Sequence, residues 1–252
     1  MKIGVVGLGL IGGSIYKALK DLHEVIGISN SQEGFSDDLN ILKDCEIVFV
    51  ATHMNKTIKV LEDLNEILDE NTVVADVCSL KEFVCQKEYK YNFVPTHPMA
   101  GTEKTGFENS FKELFQGAKW VICKKNCPEN LKKIIGQTGA QIIYASPKEH
   151  DEAVALISHM PMVLAQALFK SAENNNLAML LASSGFRDMT RLALSSEEMA
   201  DDMVNMNYKN IQNAILQLYA SVGDLIKDDY RHEICDIKQR RLQMYKDGKN
   251  IL

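Results

Sequence analysis

The sequence predicts an α/β fold in two parts, a mainly parallel sheet with helices over residues 1–148 and helices alone over residues 149–252. Three observations carry this. An apolar run at the extreme N-terminus feeds a glycine-rich turn and then a helical pattern. Short apolar runs then alternate with stretches of helical periodicity as far as residue 144, the order that builds a parallel sheet. After Pro147 the strand pattern stops and only helical periodicity remains.

Taken in order, residues 2–6 (KIGVV) read as the first strand. Gly7-Leu8-Gly9-Leu10-Ile11-Gly12-Gly13-Ser14 follows, then a helix through Ala18 and Leu19. Strand, G-x-G-x-x-G and helix are the signature of a Rossmann-type dinucleotide-binding domain. Gly7 permits the tight turn, Gly9 lets backbone approach a pyrophosphate, and Gly12 lets the helix pack closely on the strand. With Leu10 and Ile11 they form the expected cradle at the positive end of the helix.

Residues 24–28 read as the second strand, whose end in this fold carries the acid that bonds the adenosine ribose of NAD. Here it carries Ser29-Asn30-Ser31-Gln32, with no acid before Glu33 and no Arg for a 2′-phosphate. Ser29 and Asn30 are the candidate contacts, and such small polar residues accommodate NAD or NADP. Ser29 to Asp44 leaves room for one small helix, so a strand and helix common in such folds are expected to be missing. Residues 46–51 form the next strand; at its end Thr52 is a candidate cofactor contact, and His53 a polar neighbour of the ribose or a solvent-facing loop residue.

A helical pattern through Ile58, Leu61, Leu64, Ile67 and Leu68 leads to a strand at 72–75 and then to Asp76-Val77-Cys78-Ser79-Leu80-Lys81. Ser79 reads both as a helix N-cap and as a hydroxyl that reaches His97 or a substrate. The run Tyr91 to Val94 opens a strand that delivers Thr96-His97-Pro98-Met99-Ala100-Gly101-Thr102. Core packing explains poorly a His at a strand's carboxyl end beside a cofactor cleft. Its ordinary pKa suits proton abstraction at neutral pH, so His97 is the expected catalytic base. Thr102, Glu103 and Lys104 follow on the loop. Residues 120–123 and 141–144 read as two more strands flanking a helix from Pro128 to Ile135, and Pro147 marks the boundary.

Beyond it, residues 151–170 are apolar on nearly all faces, which predicts burial against another helix or subunit. Pro161 is expected to kink this helix and turn His159 toward a cleft, where it contacts substrate or sits as a satisfied buried His. Residues 182–191 read as a loop feeding a helix. Arg187 and Arg191 near one helix start are disfavoured by the dipole, and an anionic ligand would compensate. Met199, Met203 and Met206 read as packing, and Lys238, Arg240, Arg241, Lys246 and Lys249 as a solvated helix face.

Composition bounds the rest. At 46% hydrophobic residues the 252-residue chain can build a sizeable core, and a net charge of −6 argues against a nucleic acid partner. Cys45, Cys78, Cys85, Cys123, Cys127 and Cys235 show no metal-ligand spacing and read as reduced core thiols, so no metal is expected. The N-terminus has no signal-peptide layout, and no apolar run reaches the ~18 residues of a membrane span. A cytoplasmic location is the expectation.

Four segments together resemble the prephenate/arogenate dehydrogenases of tyrosine biosynthesis: GLGLIGGS at 7–14, HPMAGTEKTG at 97–106, DEAVALISHMP at 151–161 and GFRDMTRLA at 185–193. The resemblance spans about residues 1–205 and implies a Rossmann domain followed by a helical domain that dimerises. It implies oxidative decarboxylation of prephenate to 4-hydroxyphenylpyruvate with reduction of NAD(P). It also implies roles: His97 as base, Ser79 as its hydrogen-bonding partner, Arg191 as ligand of a substrate carboxylate, and Thr102 and Glu103 at the substrate pocket. Met162 stands where many relatives have a second His, and Ala200 near a place often held by Trp. Both departures lie around the substrate side chain, so the choice between prephenate and arogenate stays open. No regulatory domain is expected after the helices, nor a chorismate mutase segment before the sheet. Another two-domain reductase, acting on β-hydroxyacids or imines, and a non-catalytic nucleotide sensor are the competing readings.

Overall fold

The computed structural model describes residues 1–102, 104–227 and 230–246. Seven strands, β1 (Lys2–Val6), β2 (Glu24–Ile28), β3 (Ile47–Val50), β4 (Val73–Asp76), β5 (Asn92–Pro98), β6 (Lys119–Ile122) and β7 (Gln141–Tyr144), form one sheet in the order β2-β1-β3-β4-β5-β6-β7. β1 to β5 are mutually parallel, β6 runs antiparallel to β5, and β7 runs parallel to β6. Only a 3-10 turn, Leu39–Leu42, lies between β2 and β3, so β2 is an edge strand and the expected missing unit is absent.

Side chains alternate across a strand, and that period sorts the core into two layers. Ile3, Val5, Ile47, Phe49, Val73 and Ala75 face one way, against Ile15 and Leu19 of α1 (Leu10–Leu19) and Leu131, Ile134 and Ile135 of α3 (Glu129–Gln137). Val6, Val48, Val50 and Val74 face the other, against Leu61 and Leu64 of α2 (Met54–Ile67). Strand order reverses beside β1, and ligands of such sheets bind at the carboxyl ends of the strands around that point. Gly7 follows β1 there and Thr52 follows β3.

The helical part starts at α4 (Pro147–Val154), three residues before the helix pattern becomes evident in the sequence. Ser146 and Glu149 cap it reciprocally, and Pro147 occupies its first turn. A π-helical turn, Ala155–His159, joins α4 to α5 (Met160–Ala172), and the Met160 N–H bonds Ala155 O. The expected proline distortion takes this form, a widened turn just before Pro161. Then come α6 (Asn176–Leu181), α7 (Ser184–Met189), a 3-10 turn Arg191–Leu194, α8 (Glu197–Met206), α9 (Tyr208–Lys227) and α10 (Tyr230–Lys246).

Several expectations are corrected here. Residues 184–189 are helical rather than loop, and Arg187 lies in the last turn of α7, where the dipole favours a cation. Arg191 opens a separate 3-10 turn, so no anion is needed to explain the pair. The combined helix Pro147–Ala172 spans 26 residues and contains an 18-residue stretch with a mean hydropathy of 1.4, so by length and composition it could cross a membrane, although polar residues interrupt every apolar run. Of Met199, Met203 and Met206 only Met203 is buried; the other two are exposed. The cysteines are unpaired, but Cys85 and Cys235 are exposed rather than core residues. Lys249 lies outside the described residues.

Candidate active site

His97 sits at the carboxyl end of β5, its backbone paired with Val121 of β6. Its Nδ1 lies 2.9 Å from Nε2 of His150, the two rings packed edge to face. His150 Nδ1 in turn lies 2.7 Å from Asp151 Oδ1. Among the described residues nothing bonds His97 Nε2. Burial above all, and then the facing His150, Lys81 and His159, hold the His97 imidazole well below the ordinary value of 6.5. The ring is therefore neutral at physiological pH, as a base must be.

Beneath it lies a buried ion pair. Lys81 and Asp76 are both fully buried; the Lys81 ammonium bonds Asp76 Oδ2 and also donates to Thr96 O at 2.6 Å. Asp76 further accepts the N–H groups of Cys78 (2.9 Å) and Thr96 (3.2 Å). The donors on this carboxylate come from β5 (Thr96) and from the segment that follows β4 (Cys78 and Lys81), so the pair ties that segment to the strand end that carries His97. A second polar knot joins sheet and helices: Asp151 accepts the N–H groups of Lys81 (2.8 Å) and Glu82 (2.9 Å), while Asn207 Nδ2 donates to Asp151 O (3.0 Å) and His159 Nδ1 (3.1 Å).

One apolar cluster gathers sequence neighbours of Ser79, His97, Arg191 and Thr52. It holds Cys78 and Leu80 on either side of Ser79, Met99 beyond His97, Leu192 beside Arg191, Met54 beyond Thr52, and both Met162 and Ala200. Arg191 is exposed, and its guanidinium has no ion-pair partner among the described residues. Thr102 is exposed, accepts the Lys104 N–H at 3.2 Å, and lines a hollow of about 470 Å³ with Lys104, Glu108, Asn109, Ser110 and Phe111. Glu103 lies outside the described residues.

Two placements depart from the sequence reading. Ser79 caps no helix, since the next helical turn is a 3-10 segment beginning at Val84, and its hydroxyl bonds neither His97 nor anything else among the described residues. The partner of His97 is His150 instead. His159 is only 1% exposed, and its Nδ1 is taken by Asn207, which favours the satisfied buried reading over a substrate contact.

The glycine loop fits a dinucleotide. Gly7 has φ +90°, and a Cβ there would stand 2.6 Å from Ala51 O. A Cβ on Gly12 would fall 1.9 Å from Gly7 O, so only glycine lets α1 approach β1 this closely. Gly9 precedes α1 without a side-chain cap, and no described atom lies within 4 Å of where its Cβ would be. Leu10 and Ile11 open the helix there, so its free N–H groups meet open space suited to a pyrophosphate. Ser29 Oγ accepts the N–H groups of Ser31 (3.3 Å) and Gln32 (3.0 Å), closing the turn after β2 on itself, with Asn30 exposed at its tip. Thr52 Oγ1 lies 3.1 Å from Thr57 Oγ1. His53 is exposed, 3.6 Å from Glu198 of α8. Among the described residues no group of side chains has a metal-binding arrangement.

Sequence reasoning missed His150, Asp151, Asn207, and the pairing of Lys81 with Asp76. An adjacent His-Asp in the first turns of a helix that follows a Ser-Pro cap was the available signal for the first two. Asn207 ends α8 and carries no local signal at all.

A family model described as prephenate dehydrogenase, nucleotide-binding domain, matches residues 14–144, and one described as prephenate dehydrogenase, dimerization domain, matches residues 146–232. A prephenate dehydrogenase of Bacillus subtilis (strain 168) is 34% identical over 238 residues, which cover 82% of this chain and 64% of that protein. This chain thus spans a little under two thirds of that relative's length. A cyclohexadienyl dehydrogenase of Zymomonas mobilis is 26% identical, over 81% of this chain and 80% of its own. The crystal structure of Synechocystis arogenate dehydrogenase superposes with a TM-score of 0.80 at 29% identity, covering 98% of each chain.

Proposed function

We propose, from the premise that this chain belongs to the prephenate dehydrogenase family, that it is an enzyme converting prephenate to 4-hydroxyphenylpyruvate and CO2, with NAD(P) reduced, in L-tyrosine biosynthesis. The observation that carries this reading is His97: neutral, at a strand's carboxyl end, with Nδ1 engaged by His150 and Nε2 unengaged.

A bound nicotinamide dinucleotide supplies the hydride acceptor. Gly7, Gly9, Leu10, Ile11 and Gly12 hold its pyrophosphate, and Ser29, Asn30 and Thr52 border the rest of it. His97 Nε2 takes the proton of the ring hydroxyl as hydride leaves the same carbon. A ketone-like oxygen develops there, and loss of the ring carboxylate as CO2 pushes electrons back to it. The oxygen then recovers its proton from His97, and the ring becomes an aromatic phenol. Arg191 holds a substrate carboxylate with a guanidinium that has no ion-pair partner among the described residues, the role for which its forked donors suit it. Thr102 borders the pocket, and the Ser79 hydroxyl, which makes no bond among the described residues, is available to substrate.

NAD is the first choice of cofactor, since residues 29–34 offer no Arg to a 2′-phosphate. Arogenate is the second reading for substrate, favoured by Met162 and Ala200 in the apolar cluster where a polar or larger group would discriminate. We place the division between the two parts at the start of α4, Pro147, two residues before the 148/149 boundary read from the sequence. The helical part pairs two copies into a homodimer through its exposed apolar residues, Leu180, Leu194, Tyr219 and Ile226 among them. Six unpaired cysteines support a cytoplasmic location.

The test is a two-by-two assay, prephenate or arogenate with NAD or NADP, following reduced cofactor. Turnover is expected with prephenate and NAD. Absence of turnover in all four combinations rejects the function.

A further inference from the structure

Asp151, His150 and His97 form a hydrogen-bonded chain from the helical part into the sheet, and its proton positions follow from the donors at one end. Asp151 Oδ1 receives the Lys81 N–H and Oδ2 the Glu82 N–H, so both oxygens are already acceptors. His150 Nδ1, 2.7 Å from Oδ1, must then carry a proton and donate it. A neutral His150 has no proton left for Nε2, which therefore accepts across the 2.9 Å to His97 Nδ1. The proton between the rings belongs to His97 Nδ1, and His97 Nε2 keeps its lone pair.

We propose that His150 and Asp151 are positioning residues that set the tautomer of His97 and leave Nε2 as its basic nitrogen. The charge balance points the same way. When His97 gains a proton it faces the Lys81 ammonium and His159, and the carboxylate of Asp76 is already committed to Lys81. Among the described residues, Asp151, reached through His150, is the carboxylate left to stabilise the imidazolium. The incoming proton binds Nε2, and the Nδ1–H bond to His150 becomes charge-assisted and stronger. Nothing is consumed, because the proton returns to the product oxygen when the ring becomes aromatic.

The decisive measurement is a two-bond proton–nitrogen correlation spectrum of the full chain labelled with ¹⁵N-histidine at neutral pH, His97 and His150 being assigned from substitutions. Both rings are expected as Nδ1–H tautomers. A His97 ring carrying its proton on Nε2 overturns the proposal. A kinetic arm rests on the proposed function. In His150→Gln the side-chain carbonyl still accepts from His97 Nδ1, so kcat is expected within about tenfold of the parent, whereas His150→Leu offers no acceptor and should lose at least about tenfold more, with substrate KM nearly unchanged. Equal kcat in the two variants overturns the relay. If His150→Leu fails to fold, the parent spectrum still decides. If the parent turns over neither prephenate nor arogenate but shows the stated tautomers, the proposed function falls and the relay stands.

Discussion

The two parts of this chain bury their apolar residues in opposite ways. In the sheet, Ile3, Val5, Ile47, Phe49 and Trp120 are fully covered by the same chain. In the helical part, α6 and α7 bury nothing, and Leu180, Leu194, Tyr219 and Ile226 stand 74–81% exposed. A domain whose core closes on itself can carry a rigidly placed base. A domain that leaves large apolar faces open has its packing completed by another surface, in a region matched by a dimerization-domain family. Under the proposed function, this division puts rate and intrinsic stability on the sheet side and substrate retention on the helical side.

The largest effect expected from this division is at His97. His97→Asn should lower kcat by ~10²–10⁴ while dinucleotide affinity, read by calorimetry, stays unchanged. A variant with near-parental turnover removes the chemistry from the sheet side. Next is the buried ion pair: Lys81→Met leaves Asp76 charged and unpaired, which should cost ~3–5 kcal/mol of unfolding free energy in urea titrations. Replacing Asp76 as well, by Leu, should recover much of that loss; no recovery would mean that the pair is not what holds β4 to β5.

On the helical side, Arg191→Ala should raise the substrate KM by the equivalent of ~2–5 kcal/mol and leave the cofactor KM alone. An equal rise in both would make Arg191 structural and blur the comparison. The smallest effect concerns the joint. Burial pushes His159 down to about 4, so between pH 6.5 and about 4 the unfolded chain binds a proton that the folded chain refuses. Stability is therefore lost as pH falls through that window, by up to about 3 kcal/mol for this group, and His159→Asn should flatten the melting temperature over the same range. Because the His97 pKa is also lowered, the acid limb of kcat/KM should lie below 6.5. A limb above that value would contradict a base held neutral by its surroundings.

How much of this was legible in the sequence depends on the distance over which each signal acts. Short apolar runs and glycine geometry are local signals, so the strand run Glu24–Ile28 and the roles of Gly7 and Gly12 could be read directly. His97 was legible because its strand and the following Pro-Met-Ala-Gly are contiguous. Its partner was not, since His150 lies 53 residues away on another element and is joined to it only by packing. Ser79 misled for the same reason: it is near in sequence to the end of a strand, but proximity to a strand end does not fix which donor meets the imidazole. The dipole argument at Arg187 and Arg191 failed because the helix boundary fell between them, and boundaries are set by tertiary contacts as much as by local propensity.

The reciprocal cap at Ser146 and Glu149 acts as a gauge as well as a fastening. It fixes the residue at which α4 begins, and so the angular position of every side chain counted from there; His150 N bonds Ser146 O at 2.9 Å within that first turn. One residue inserted between Ser146 and His150 would turn the imidazole by about 100° and advance it by about 1.5 Å along the axis. That rotation carries His150 away from His97 even though the helix and the sheet are both retained. The length of a four-residue segment far from the glycine loop thus calibrates the base, and an indel there would be read as a catalytic lesion in a protein that still folds.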